Sequence, residues 1–328
     1  MKTYSWEQIS NNKSKLSKLS SQRPIFILGP RNISKKRILE LHQQLIKKRP
    51  VIWGCLKDDY IPGLEGSPQF KSLDYETLKK SLEDLGVNQG SEKKASKNKT
   101  VILRYHFRHT KYILQDLKLS AVIAINGSWH HAFHFTPIFY ELTKKKMPYK
   151  LVSSFVDEAE AKKYWQQIKD QLPELEVKAN QKMDDKKLND QKLMAVADQA
   201  AKKSFDYTFQ TGAVLAKSNQ FLGAAHNRVV PFPSYALHHG ARKEKHFGPP
   251  NDLNYFDTNH AEVELLIKAQ QQNISLAGTS LYINLLPCPT CARMLARTEI
   301  KEIIYQHDHS EGYAYDLLTK SGKVVKRL

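Results

Sequence analysis

Apolar residues follow two rhythms in the first half of the chain. Short β-rich runs at residues 25–28, 51–56, 101–105, 121–125 and 150–155 alternate with stretches of helical period at 34–48, 75–85, 110–117, 135–145 and 158–168. Strands separated by helix-length segments pair in parallel, so this half reads as a doubly wound, Rossmann-like α/β domain. A polar lead-in precedes the first run, and residues 88–99 are polar enough to read as a flexible loop. Residues 173–190 are charged and almost without apolar period. A first domain is therefore expected over residues 1–175, a linker over 176–189 and a second domain over 190–328.

Beyond the linker the order changes. A helix is expected at 190–205, then two strands at 213–216 and 221–225 joined by the tight polar link Lys217-Ser-Asn-Gln, a hairpin. A helix at 260–272, a strand at 281–285, a helix at 288–298, a strand at 302–305, a short helix at 315–320 and a strand at 323–326 complete the pattern. The helix between the last two strands implies a crossover and parallel pairing. No internal repeat is visible.

Composition sharpens this picture in four ways. At 328 residues with 41% hydrophobic content, the chain has room for two real cores. Its net charge of +18 is concentrated at one end, with 28 Lys+Arg against 12 Asp+Glu in residues 1–150 but 23 against 21 thereafter. A basic half can hold nucleic acid, hold nucleotide phosphates, or present a Lys-rich solvated surface. No stretch approaches the roughly 18 apolar residues of a membrane span, and the polar start Met1-Lys-Thr-Tyr-Ser lacks the apolar stretch of an export signal, so a cytoplasmic protein without membrane contact is expected. The three cysteines, two of them three positions apart, make a poor disulfide scaffold and a good metal site in a reducing compartment.

Two fragments carry chemistry: His260-Ala-Glu262 and Pro287-Cys288-Pro-Thr-Cys291. His-x-Glu followed by Pro-Cys-x-x-Cys is the signature of zinc deaminases of nucleobases. The residue types explain why. Two thiolates and one neutral imidazole give Zn²⁺ three protein ligands, His260, Cys288 and Cys291, and leave a fourth tetrahedral position for water, as a catalytic site requires. Both fragments fall where helices are expected to begin, with Thr258 and Asn259 as caps of the first and Pro287 ahead of the second, so helix N-termini favour the ionised thiols. Glu262 is then the proton carrier rather than a fourth ligand. A zinc ribbon is the competing reading, but no second Cys-x-x-Cys exists to complete it.

From residue 193 to the end the chain resembles the cytidine deaminase superfamily, most of all its deoxycytidylate deaminase branch. The resemblance rests on Thr211-Gly-Ala-Val-Leu215, Ala225-His-Asn227, His260-Ala-Glu-Val-Glu264 and Leu286-Pro-Cys-Pro-Thr-Cys-Ala292. It implies a mixed five-stranded sheet between helices, an α/β/α sandwich. It also implies that Asn227 meets the substrate sugar and base, and that Thr211 and Ala261 line the base pocket. The parallel last strands and the Cys-Pro-Thr-Cys-Ala segment separate this chain from the free-nucleoside and tRNA branches. Between Asn227 and His260 lies an insertion, residues 228–259, with His238, His239, His246, Arg242, Lys243 and Lys245 but no cysteine. It reads either as a substrate-covering loop whose cations meet a 5′-phosphate or as an inert surface loop. One of His307, His309, Tyr313 and Tyr315 is also expected near the substrate.

The leading function is hydrolytic deamination of a cytosine mononucleotide, deoxycytidylate. Base editing in RNA or single-stranded DNA, with the basic half as clamp, is disfavoured by the near-neutral second half. A nucleotide-sensing first domain controlling a deaminase effector is the third reading. In an open parallel sheet, ligands bind beyond the carboxyl ends of the strands. Those ends carry Arg31, Arg104, His106, Ser128 and His130, a candidate site for a phosphorylated nucleotide. Gly29 starts no ATP phosphate loop, because the second Gly and the Lys-Ser/Thr pair are missing. The expected partners are a small-molecule nucleotide and further copies of the chain.

Overall fold

A computed structural model of the chain describes residues 1–87, 100–176, 186–218, 220–249, 252–309 and 312–328. The loop expected at 88–99 and much of the linker at 176–189 lie outside the described residues. The chain forms two compact units, one of Met1–Ile168 with Ser234–Gly248 and one of Lys169–Pro233 with Pro249–Leu328. No helix among the described residues is long and apolar enough to cross a membrane.

In the first unit, β1 (Lys2–Ser5), β2 (Ile25–Leu28), β3 (Val51–Leu56), β4 (Thr100–Tyr105), β5 (Ala121–Ile125) and β6 (Tyr149–Val152) form one sheet in the order β1-β4-β3-β2-β5-β6. Every pair in it is parallel. The helices are α1 (Trp6–Ser10), α2 (Lys13–Ser21), α3 (Lys35–Ile46), α4 (Tyr75–Val87), α5 (Thr110–Asp116), α6 (Pro137–Lys144) and α7 (Glu158–Ile168). The central strands are continuous apolar runs because both faces are covered: every residue of β2 and β3 is buried. Ser34 and Thr136 start α3 and α6 by accepting the amides of Arg37 and Phe139. The polar lead-in departs from expectation, since it contains β1, α1 and α2. Its strand is an edge, half exposed and paired only with β4, which is why no apolar run announces it.

Two short helices, Tyr235–His239 and Arg242–Lys245, belong to this unit by their contacts. Glu244 is buried, accepting the Trp129 indole N–H and, at 3.0 Å, the Phe133 amide. The Asn126 amide donates to the His238 carbonyl at 3.3 Å, and Ser153 Oγ lies 2.7 Å from His238 Nδ1. These contacts gather on the loops that follow β5 and β6.

In the second unit, α8 (Lys186–Ala201) precedes the hairpin of β7 (Gly212–Lys217) and β8 (Gln220–His226), with a bulge between Leu215 and Ala216. A two-residue ladder joins β9 (Arg228–Val229) to β10 (Thr258–Asn259). Then come α9 (Ala261–Gln271), β11 (Ser280–Leu285), α10 (Pro289–Ala296), β12 (Glu302–His307), α11 (Tyr313–Lys320) and β13 (Val324–Arg327). The sheet order is β13-β12-β11-β7-β8; β11, β12 and β13 run parallel and β7 is antiparallel to both its neighbours. The parallel ending agrees with the crossover read from sequence. Core residues cover both faces: Leu193, Ala197 and Ala200 of α8 on one, Leu265 of α9, Leu295 of α10 and Leu318 of α11 on the other. Gly212 lets α8 come close, since a Cβ there would lie 1.9 Å from the Ala197 carbonyl oxygen.

Candidate active site

His260 is the N-cap of α9 and Cys288 the N-cap of α10, so both fragments meet where two helices start beside β11. Thr258 and Asn259 do not cap α9 as expected. Their backbone is used in the ladder with β9, and the Asn259 amide donates to Glu264 at 2.9 Å. At α10 the Cys288 sulfur takes the capping role itself, accepting the Cys291 amide at 3.4 Å.

His260 Nδ1 lies 3.5 Å from Cys288 Sγ and 3.4 Å from Cys291 Sγ, and the three donor atoms all fall within 4.8 Å of one another. Tetrahedral zinc, with bonds of about 2.0–2.1 Å to nitrogen and 2.3 Å to sulfur, separates such ligands by about 3.5 Å. The donor set therefore fits Zn²⁺ in both chemistry and spacing. Hydrogen bonding from the Cys291 thiol, with His260 and the Cys291 amide behind it, holds the Cys288 thiol down to about 4. The adjacent Cys288 pushes the Cys291 thiol up. His260 is raised, first by its hydrogen bond with Cys288. Such a group wants a cation at its centre.

Glu262 sits in the first turn of α9, 3% exposed, and burial pushes its carboxyl above the usual range against the pull of His260. It opens with His260 and Cys288 onto a cavity of about 460 Å³. Phe209 and Phe256 form an apolar wall, their centroids 6.1 Å apart, and Phe256 meets His260 edge-on at 5.8 Å. Arg293 is the one Lys or Arg among the described residues that line it, held to Thr290 Oγ1 at 3.3 Å on the first turns of α10. Asp206, Asn227, Thr211 and His309 also line it; Asp206 is 6% exposed, and burial pushes its carboxyl up.

The residues expected from sequence are thus partly brought together. Asn227 and Thr211 reach the cavity with the ligand set and Glu262, whereas Ala261 is wholly buried in the core and is not among the cavity's lining. Of the four candidates near β12, His309 lines it. Sequence reasoning missed Asp206, Phe209, Phe256 and Arg293. Arg293 alone left a usable trace, one cation two positions beyond Cys291 on the helix that carries the metal site.

Part of the insertion, Ser234–Gly248, packs within the first unit. Lys243 and Glu244 are each 3% exposed, and the buried contacts of this segment lie in the first unit. At the carboxyl edge of the first sheet, two of the five candidate residues, Arg31 and Ser128, are fully buried. Arg31 is fully buried, with its guanidinium donating to the Gln69 carbonyl, Tyr164 Oη and Ser154 Oγ. Ser128 is equally buried and accepts the Arg31 amide at 3.1 Å, joining the loops that follow β2 and β5. Arg104 stacks on Tyr75 at 4.8 Å, His106 pairs with Asp58 at 2.8 Å, and His130 stacks on His131 at 3.9 Å, burial holding it down to about 4.

The model of the cytidine and deoxycytidylate deaminase zinc-binding region matches residues 187–307. The mouse and human deoxycytidylate deaminases are each 30% identical over 139 residues, 41% of this chain and 75% of theirs. The dCMP deaminase of cyanophage S-TIM5, solved in complex with dCMP and dUMP, covers 44% of this chain and 100% of its own at 21% identity and a TM-score of 0.37.

Proposed function

This chain belongs to the cytidine and deoxycytidylate deaminase family, and we propose that, as a zinc-binding deaminase, it converts deoxycytidylate to deoxyuridylate and ammonia. The observation that carries the reading is the composition of one cavity: the metal-binding triad and a buried carboxyl, a Phe-lined wall for a flat base, and a single Arg for a phosphate. Its volume lies in the range of small-molecule sites.

Lewis-acid activation of water near neutral pH is the chemistry that a zinc held by His260, Cys288 and Cys291 supplies. The chain's own groups do the rest. Glu262 accepts the proton of the attacking water, gives it to N3 of the ring as oxygen adds at C4, and carries a further proton to the amine as the C4–N bond breaks. Phe209 and Phe256 exclude bulk water around the base. Asn227 meets the sugar and Arg293 the 5′-phosphate. The reading includes a cytoplasmic setting and a homo-oligomeric enzyme.

Arg293→Ala tests the substrate class. A hydrogen bond to a charged group is worth about 1.5–3 kcal/mol, so KM for deoxycytidylate should rise on the order of 10- to 100-fold. Turnover of deoxycytidine, which has no phosphate, should not change. Equal losses on both substrates, or none on either, would refute phosphate recognition at Arg293. A wild-type enzyme inactive on deoxycytidylate but active on short single strands would refute the mononucleotide reading.

A further inference from the structure

Three of the four hydrogen-bonding valences of the Asn227 side chain are used within the protein. Oδ1 accepts the Thr211 amide at 2.9 Å, and Nδ2 donates to the Phe209 carbonyl at 3.0 Å and to Asp206 Oδ2 at 3.4 Å. Two acceptors on one side and a backbone donor on the other permit a single orientation. Flipped, the amide would set its oxygen against a carboxylate and a carbonyl, and its NH2 against an N–H. The one valence left to Asn227 is a lone pair on Oδ1, so what it offers the cavity is an acceptor.

Asp206 is itself anchored by hydrogen bonds. It is 6% exposed, and its Oδ1 accepts the Thr208 amide at 2.8 Å, the Thr208 hydroxyl at 2.6 Å and the Phe209 amide at 3.3 Å. The Ser204 hydroxyl accepts the Asp206 amide at 3.1 Å and donates to the Asn227 carbonyl at 2.9 Å, tying the turn to the end of β8 a second time. A carboxylate so buried and so well supplied with donors sits beside Asn227 at the wall of the cavity.

We infer that Asp206 is a positioning residue of this deaminase: it locks the Asn227 amide so that the pocket reads the sugar by accepting a hydrogen bond from its hydroxyl. The inference rests on the nucleotide reading above. Deoxycytidylate has two donor groups, the exocyclic amine and the 3′-hydroxyl. The amine has to lie at the reacting centre with Glu262, which leaves the 3′-hydroxyl for Asn227. Asp206 touches neither and acts through the amide it holds.

The test compares wild type, Asp206→Asn and Asn227→Ala, as zinc-loaded full-length enzymes, on deoxycytidylate and on 2′,3′-dideoxycytidine 5′-monophosphate. Wild type should prefer deoxycytidylate by about tenfold in kcat/KM, mostly through KM. Asp206→Asn should bring that ratio close to one, as Asn227→Ala does, while zinc content stays at the wild-type level. A purely structural role would lower both substrates together and leave the ratio alone. Should Asp206→Asn not fold, Thr208→Val removes the 2.6 Å hydroxyl bond that holds the carboxyl, and a lowered ratio is again expected. An unchanged ratio in the variant that folds, or a wild type that does not discriminate at all, overturns the inference and leaves the deaminase reading intact. A wild type inactive on both nucleotides overturns that reading, and the inference with it.

Discussion

Glu262→Gln separates proton transfer from metal binding and folding more cleanly than any other substitution in this molecule. The two side chains are nearly isosteric, so the cavity keeps its shape. Glu262 is 3% exposed, and burial already disfavours its ionised form, so a neutral amide loses no solvation there and the thermal midpoint should hold or rise slightly. The triad of donor atoms does not include it, so zinc should remain at about one equivalent per chain. A positioned acid or base contributes about 10²–10⁴ to a single proton transfer, and here one carboxyl serves both N3 and the leaving amine. Turnover should therefore fall by roughly 10⁴, about 5 kcal/mol of barrier. The fall in cytosine absorbance at saturating deoxycytidylate reads kcat, and atomic emission on the same preparation reads zinc. Zinc lost with the carboxyl would make Glu262 a ligand. A kcat within about tenfold of wild type would put the proton carrier elsewhere.

Cys288→Ser should bind little or no zinc at neutral pH, because the hydroxyl does not ionise where the thiol is held near 4, and the second unit should unfold at lower temperature; a variant that retains full zinc would show the ligand set to be wrong. His42 of the first unit should make stability pH-dependent. It is 5% exposed, its Nδ1 accepts the Trp53 indole N–H at 3.2 Å, its Nε2 lies 3.3 Å from Thr100 Oγ1, and burial holds it down to about 4. The folded form thus resists a proton that the unfolded chain takes up at about 6.5, so stability is complete above that pH and falls by about 3 kcal/mol as pH drops to 4. Trp6, Trp53, Trp129 and Trp165 all lie in the first unit, so tryptophan fluorescence follows its unfolding in denaturant. His42→Gln should lose that part of the acid sensitivity, and an equal slope in both proteins would assign it to other groups.

What could be read from the residues alone follows the range of the interactions involved. The metal triad was legible because zinc needs particular atoms at a fixed spacing, and two of the three sit one helical turn apart on one segment. The sheets were legible because a buried strand such as β3 must be apolar throughout, and the edge strand β1 escaped because it is half exposed. Arg31 misled because a cation at the end of a strand looks like a ligand for phosphate. Its true partners, Gln69 and Tyr164, lie 38 and 133 positions away, and no local pattern signals them. Glu244 went unread for the same reason: it is a buried acceptor for Trp129, 115 positions away.

The same distinction divides the site itself. Its reacting groups are set by two short motifs, but the side chains that shape the substrate's berth reach it through partners remote in sequence. Asp206 meets Asn227 across 21 positions, and Phe256, from the far end of the insertion, meets Phe209. Burying a carboxyl is costly, and Asp206, whose carboxyl burial pushes up, is held by donors from both the turn and the strand end. An alanine or asparagine would be cheaper to bury. That Asp206 stands here, holding the amide of Asn227 at the wall of the cavity, is what the proposed role in recognition, rather than in folding alone, rests on.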